Sequence, residues 1–244
     1  TSAIGRDFLC PKTGGKVVYV STKIDRLVAE AEKWVGYLEK KSNSQLDSFT
    51  ANAGSNNYTR FNRDYKTAMG SGSINMQWCG AFVSCVFMYA FGLETAKKLL
   101  CGNLHCYTPT GASYFKKKGR YIKRGQGTPK RGDVVFFWSS SKGRIGHVGI
   151  VYKVSGGKVY TIEGNTSGAS KLITNGGGVC KKSYSLSSTY IDGYGRPPYD
   201  DVKDNDIAKR GCLIIPTTEL EHNDVVSKRS YFAKWVSKSF GAAR

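Results

Sequence analysis

Three side chains far apart in the chain are of the types that nucleophilic chemistry requires: Cys79, His147 and Glu163. A thiol nucleophile needs a base to take its proton, and that base needs a polar partner to fix its tautomer and orientation. Cys79 lies in Gln77-Trp78-Cys79-Gly80-Ala81-Phe82-Val83-Ser84-Cys85, which follows a loop rich in Gly and Ser at 70–73. The run stays almost wholly apolar as far as Phe91 and stops at Gly92. The pattern predicts a buried helix entered from a loop, with Cys79 in its first turn. A sulfur there faces unpaired backbone N–H groups and the positive end of the helix dipole, which suits a negatively charged nucleophile. Taken alone, Cys79 reads as one more small buried residue, as free cysteines usually are. Cys85, deeper in the apolar run, reads as core.

The base and its partner come from a different part of the chain. His147 sits in Gly146-His147-Val148-Gly149-Ile150-Val151, at the start of a strand predicted over 148–154, with glycines on either side of the ring. Glu163 ends the next predicted strand, in Thr161-Ile162-Glu163-Gly164-Asn165-Thr166. The intervening Ser155-Gly156-Gly157 predicts a hairpin, and pairing about that turn brings His147 and Glu163 into one neighbourhood. Asn165 is a candidate to replace or support Glu163. A lone His between glycines is more often structural and a lone Glu at a strand end is usually solvated, so the signal lies in the three together.

The elements that must hold these groups change character along the chain. Thr22, with Asp25 three residues on, predicts a capped helix whose apolar face is Ile24, Leu27, Val28, Ala31, Trp34, Val35 and Leu38. Residues 42–57 read as a polar loop, 58–67 as a short helix, and 93–100 and 110–118 as two more after the Cys79 helix. From Gly132-Asp133 the period changes to that of strands, at 134–138, 148–154, 158–162 and 190–194. Helices first and strands second predict an α+β fold with helices packed on an antiparallel sheet. A short strand is predicted at 16–20. Beyond Asp200 an acidic, linker-like run leads to a basic amphipathic helix over 224–240, which fits docking on the protein's own body better than lying on a membrane.

With 37 Lys and Arg against 18 Asp and Glu, the formal net charge is +19. That excess implies an anionic partner surface without choosing among nucleic acid, membrane and cell-wall polyanions. Residues 200–244 hold eight basic and seven acidic side chains, so the excess belongs to the body of the chain. No recognised nucleic-acid motif or aromatic-basic platform is present, so no nucleic-acid partner is expected. No apolar run reaches the length of a membrane span, and no signal peptide is recognisable at the start. Seven scattered cysteines do not make a disulfide framework. Cys101 and Cys106 are near enough in sequence to pair if the protein is exported, and with His105 they offer too few ligands for zinc.

The motifs resemble those of the CHAP family of cysteine peptidoglycan hydrolases, a branch of the papain-like superfamily. The likeness is carried by Trp78-Cys79 with Phe82-Val83, Arg131-Gly132-Asp133-Val134-Val135-Phe136-Phe137, the motifs around His147 and Glu163, and Gly193-Tyr194-Gly195-Arg196-Pro197. It is similar to the modules of lysins and prophage proteins from gut Firmicutes, and covers residues 23–199 in order. The resemblance implies an N-terminal extension at 1–22, a catalytic domain of papain-like fold at 23–199, and a C-terminal extension at 200–244. It implies Cys79 as nucleophile, His147 as base and then acid, and Glu163 as the residue orienting His147, with Asn165 in support. The N–H of Cys79, with Gln77 and Trp78 beside it, is expected to face the oxyanion or substrate.

The implied reaction is hydrolysis of an amide in bacterial peptidoglycan, as an amidase or an endopeptidase, outside the producing cell. Anionic wall polymers such as teichoic acids are the expected partners of the basic body. A non-catalytic wall-binding module and an interbacterial toxin with the same chemistry are the alternatives. Relatives often carry an acidic residue after the nucleophile, where this chain has Gly80, and some hold calcium in an Asp-rich loop. Here that region offers only Asn62-Arg63-Asp64, so no metal or other cofactor is expected.

Overall fold

In the computed structural model, the structure describes residues 22–168 and 177–203, together with short strands at 18–19 and 213–214. Residues 21–209 make one compact unit. A second unit, of residues 1–20 and 210–244, contains two short strands, β1 (Val18–Tyr19) and one at Leu213–Ile214, paired antiparallel. The helix expected over 224–240 lies outside the described residues, as do Cys10 and Cys212.

Helix α1 (Lys23–Lys33) starts at the capping box read from the sequence. The Thr22 hydroxyl accepts the N–H of Asp25, and the Asp25 carboxylate accepts the N–H of Thr22 at 3.1 Å. The helix is shorter than its apolar pattern suggested: the chain turns through Gly36 at φ 94°, which leaves Val35 and Leu38 each 36% exposed. Helix α2 (Arg60–Met69) is capped by Thr59, followed by α3 (Cys79–Phe91), α4 (Leu93–Leu99) and α5 (Thr108–Lys117).

The strands are β2 (Tyr121–Lys123), β3 (Val134–Ser139), β4 (Arg144–Ser155), β5 (Lys158–Thr166), β6 (Gly178–Ser185) and β7 (Ile191–Gly195). They form one antiparallel sheet in the order β2-β7-β3-β4-β5-β6. Among the described residues, five α-helices against a six-stranded antiparallel sheet make the expected α+β fold. Val134, Phe136, Val148, Ile150 and Ile162 share the main core with α3, while Val135, Phe137, Val151 and Tyr184 belong to a smaller second cluster. The alternation along β3 is the two-residue period of a strand with both faces covered.

Two strands of the six-stranded sheet escaped the sequence reading, as did the short strand at Leu213–Ile214. The three residues of β2 gain their order by pairing with β7, and β6 alternates buried and exposed positions weakly in Gly178-Val179-Cys180-Lys181-Lys182-Ser183-Tyr184-Ser185. Strand β4 also begins four residues earlier than expected. The glycines around His147 read as a strand start, yet Gly146 is glycine because Ser139 of the paired strand fills its Cβ position, 2.6 Å away.

Candidate active site

Helix α3 opens the site because its first residue is Cys79 and its N-terminus has no side-chain cap. The first intrahelical bond is from Phe82 N–H to the Trp78 carbonyl at 2.8 Å, so the N–H groups of Cys79, Gly80 and Ala81 are left outside the helical ladder. What fixes this end is its neighbour. The Trp78 indole is fully buried, stacks on Phe61 of α2 at 5.6 Å, and donates to Glu39 at 2.8 Å. Asn62, also buried, donates to the carbonyl of Met76 at 2.7 Å and ties down the loop that enters the helix. Trp78 therefore anchors the helix start, and its side chain is too deep to meet a substrate, contrary to its expected place among the substrate contacts.

Gly80 has a steric cause. A Cβ there would lie 2.5 Å from the carbonyl oxygen of Cys106, so the larger acidic residue common in relatives has no room beside this loop. Cys85 is fully buried, its thiol donates to the Phe61 carbonyl at 3.3 Å, and burial pushes its pKa well up. It is core, as read. Cys101 and Cys106 are both free thiols, and Cys101 is buried.

His147 stands within β4, opposite Phe137 of β3, and both it and Glu163 are fully buried. Its Nε2 is 2.9 Å from Glu163 Oε2. Gly149 makes that approach possible, since a Cβ there would lie 2.6 Å from Glu163 Cγ. The Phe137 ring lies 5.5 Å from the imidazole. Nδ1 makes no hydrogen bond, and the thiol of Cys79 acts on the ring together with Glu163. Catalytic hydrogen bonds are commonly loose until a substrate arrives. Burial pushes the pKa of the ring down, but its interactions with Cys79 and Glu163 outweigh this and raise it from 6.5 to about 9.

Glu163 has supports that the sequence did not reveal. The Thr161 hydroxyl donates to its Oε1, and the Tyr184 hydroxyl donates to Oε2 at 3.3 Å. Thr161 stands two residues back on the same strand and Tyr184 on the neighbouring β6, so strand period could have suggested the first but not the second. Lys182, buried beside them, donates to Thr166 at 3.0 Å. Asn165 is buried with φ 57°, in the irregular stretch between Glu163 and Thr166 where the register of β5 against β6 shifts. Glu163 is bonded to Nε2 of the ring.

A cleft of about 280 Å³ opens beside the sulfur, lined by Gln77 and Cys79, by Tyr107 and Thr108 at the start of α5, and by Arg144 and Gly146 at the start of β4. Gln77 Oε1 accepts from Lys142 at 3.2 Å, which leaves its amide nitrogen to donate. A larger hollow of about 450 Å³, lined by Val28, Glu32, Arg131, Tyr152, Lys153 and Val154, has no thiol or imidazole in its lining.

In the Asn62-Arg63-Asp64 region, Asn62 bonds backbone carbonyls and Asp64 pairs with Arg60 and Arg63 and accepts the Tyr89 hydroxyl. Among the described residues no group of three or more His, Cys, Asp or Glu could hold a metal ion, and no helix is long and apolar enough to cross a membrane.

No curated protein matches the sequence significantly. Among solved structures the chain is similar to Ly7917, with TM-score 0.41, 15% identity, and coverage of 73% of this chain and 63% of that one. It is similar also to Ly7917 with the hydrolyzing product of MDP, with TM-score 0.42, 16% identity, and coverage of 72% and 62%. The chain thus spans less than two thirds of the length of these structures. The sequence model of the CHAP domain family matches residues 70–165, a stretch that contains Cys79, His147 and Glu163.

Proposed function

We propose that this chain is a cysteine peptidoglycan hydrolase in which Cys79 is the nucleophile, His147 the base and then the acid, and Glu163 the group that orients His147. The observation that carries the reading is the fixed imidazole: Nε2 is held by a buried carboxylate at 2.9 Å, Nδ1 has no hydrogen-bond partner, and Cys79 lines an open cleft.

The thiol proton has passed to His147, which is held charged up to about pH 9, and the Cys79 sulfur attacks the carbonyl carbon of the scissile amide. The charge that collects on the carbonyl oxygen is met by the uncapped N–H of Cys79 and by the amide nitrogen of Gln77. Losing one such donor costs about 3 kcal/mol in other hydrolases. The imidazolium gives its proton to the departing amine as the C–N bond breaks. Water then enters, His147 takes one of its protons, and the thioester is cleaved to a carboxylic acid and the regenerated thiol. Glu163 keeps the ring in the tautomer that presents Nδ1 to the sulfur and stabilises its charged form. Asn165 supports that end of β5.

The substrate class follows from the match to the CHAP domain family: an amide of the bacterial wall, either the glycan–peptide bond or a bond within the stem or cross-bridge. The basic body fits adsorption to anionic wall polymers outside the cell, which weakens as salt rises. Turbidity of purified cell walls with the wild type, Cys79→Ala and Cys85→Ala tests the reading, with mass spectrometry of the fragments to identify the bond. The expected result is lysis by the wild type and Cys85→Ala and none by Cys79→Ala. Lysis that survives Cys79→Ala overturns the nucleophile. Adsorption without lysis by any of them favours a binding module.

A further inference from the structure

The cleft beside Cys79 carries positive charge and no carboxylate. Arg144 lines it from the first position of β4, and Tyr107 lines it from the residue that precedes α5. The guanidinium lies 4.8 Å from the centre of the Tyr107 ring, and one of its Nη1 protons goes to the carbonyl of Ile145 at 3.0 Å. That carbonyl also accepts the Thr108 hydroxyl at 2.9 Å, which ties the start of β4 to the start of α5. Stacking and a backbone bond thus restrain a long side chain that is otherwise mobile, and its remaining N–H groups stay available. Among the described residues Arg144 forms no ion pair, unlike Arg60, Arg63, Arg120, Arg131 and Arg196. Lys142, whose ammonium reaches Gln77 at the cleft, adds to the same positive field.

We propose that Arg144, restrained by Tyr107, is a carboxylate-recognition site, and that the preferred substrate carries a free carboxylate in the residue adjoining the scissile amide. This deepens the hydrolase reading and rests on it for the identity of the bond cut. Wall peptides supply such groups at acidic residues and at chain ends, and converting them to carboxamides removes the charge. A planar guanidinium with open N–H groups takes a carboxylate through paired charge-assisted bonds, whereas a carboxamide offers one acceptor and no charge. Because Arg144 and Cys79 line one cleft of about 280 Å³, a carboxylate held by the first sets the position of the amide at the second.

The test uses two synthetic stem peptides that differ only in a carboxylate or carboxamide next to the scissile bond. Binding to Cys79→Ala and to Cys79→Ala/Arg144→Gln is measured by calorimetry, and cleavage is measured with the wild type, Arg144→Gln and Arg144→Lys. The acid peptide is expected to bind on the order of tenfold tighter than its amide, with the difference appearing in KM. Arg144→Gln should bring the ratio near one, and Arg144→Lys should keep part of it. The ratio is the readout, so a variant that merely folds less well alters both peptides alike. A ratio near one in the parent, or one that survives Arg144→Gln, overturns the proposal. Arg144-dependent preference in binding, with no cleavage of either peptide by the wild type, upholds the site and overturns the hydrolase reading instead.

Discussion

Among the described residues two histidines sit deep in the fold, and their surroundings give them opposite properties. His147 is fully buried between Glu163 and Cys79, and its pKa is raised to about 9. His105 is 2% exposed, neither ring nitrogen has a hydrogen-bond partner, and burial alone lowers its pKa to about 4. Its ring occupies the space left by Gly111, where a Cβ would lie 2.3 Å away, and only its backbone is well tied, by mutual bonds with the Ser84 hydroxyl at 2.7 and 2.8 Å. Burial depresses both rings. What separates them is an anionic partner, which turns one buried imidazole into an acid–base group and leaves the other as neutral packing.

The comparison breaks most sharply at the sulfur and the ring. His147→Asn or Cys79→Ser should lower kcat/KM on cell walls by about 10⁴-fold or more, whereas His105→Phe should retain lysis. If both histidine variants lost activity equally at unchanged melting temperature, His105 would belong to the chemistry as well. Glu163→Gln removes the charge while keeping the shape, and a loss on the order of 10³-fold is expected. Without the carboxylate the ring keeps its burial penalty and loses one raising partner, so its pKa falls. The alkaline limb of the pH–rate profile, near pH 9 in the wild type, should then move to lower pH. An unmoved limb would mean that the carboxylate does not set the protonation of the ring.

The two rings also predict opposite dependences of stability on pH. His105 titrates near 4 when folded against 6.5 when unfolded, so the unfolded chain binds the extra proton, and stability is lost as pH falls from 6.5 toward 4. The loss is about 3 kcal/mol over that window. His147 binds its proton more tightly when folded, so its contribution is present below 6.5 and is lost as pH rises through about 9. Urea denaturation from pH 4 to 7 should show a flatter acid limb for His105→Phe, and a gain of about 1 to 3 kcal/mol at pH 7 from removing an unpaired buried N–H. An unchanged slope would show that His105 is not the group responsible. The smallest effect is expected at Tyr184→Phe, which removes one 3.3 Å bond to Glu163 and should slow turnover about fivefold while leaving the pH limb nearly in place.

The sequence by itself determined the parts that depend on neighbours along the chain. Thr22 and Asp25 close a capping box within one turn, and Gly156-Gly157 turns β4 into β5. The apolar run after Cys79 makes a buried helix, and local patterns of this kind need no distant partner to be legible. The same local signals named Cys79, His147 and Glu163, because glycines and strand ends mark where a backbone or a polar group must come close. Tertiary structure alone decided the rest. Strand β6 exists because β5 lies beside it, and only that pairing brings the Tyr184 hydroxyl to Glu163. Trp78 looks in sequence like a substrate contact and is instead an anchor, since Phe61 and Glu39 close over it. The restraint of Arg144 by Tyr107 spans two elements that no sequence period relates. Hydrogen bonds and ring contacts between distant segments are set by how the layers pack, and packing is a property of the whole chain.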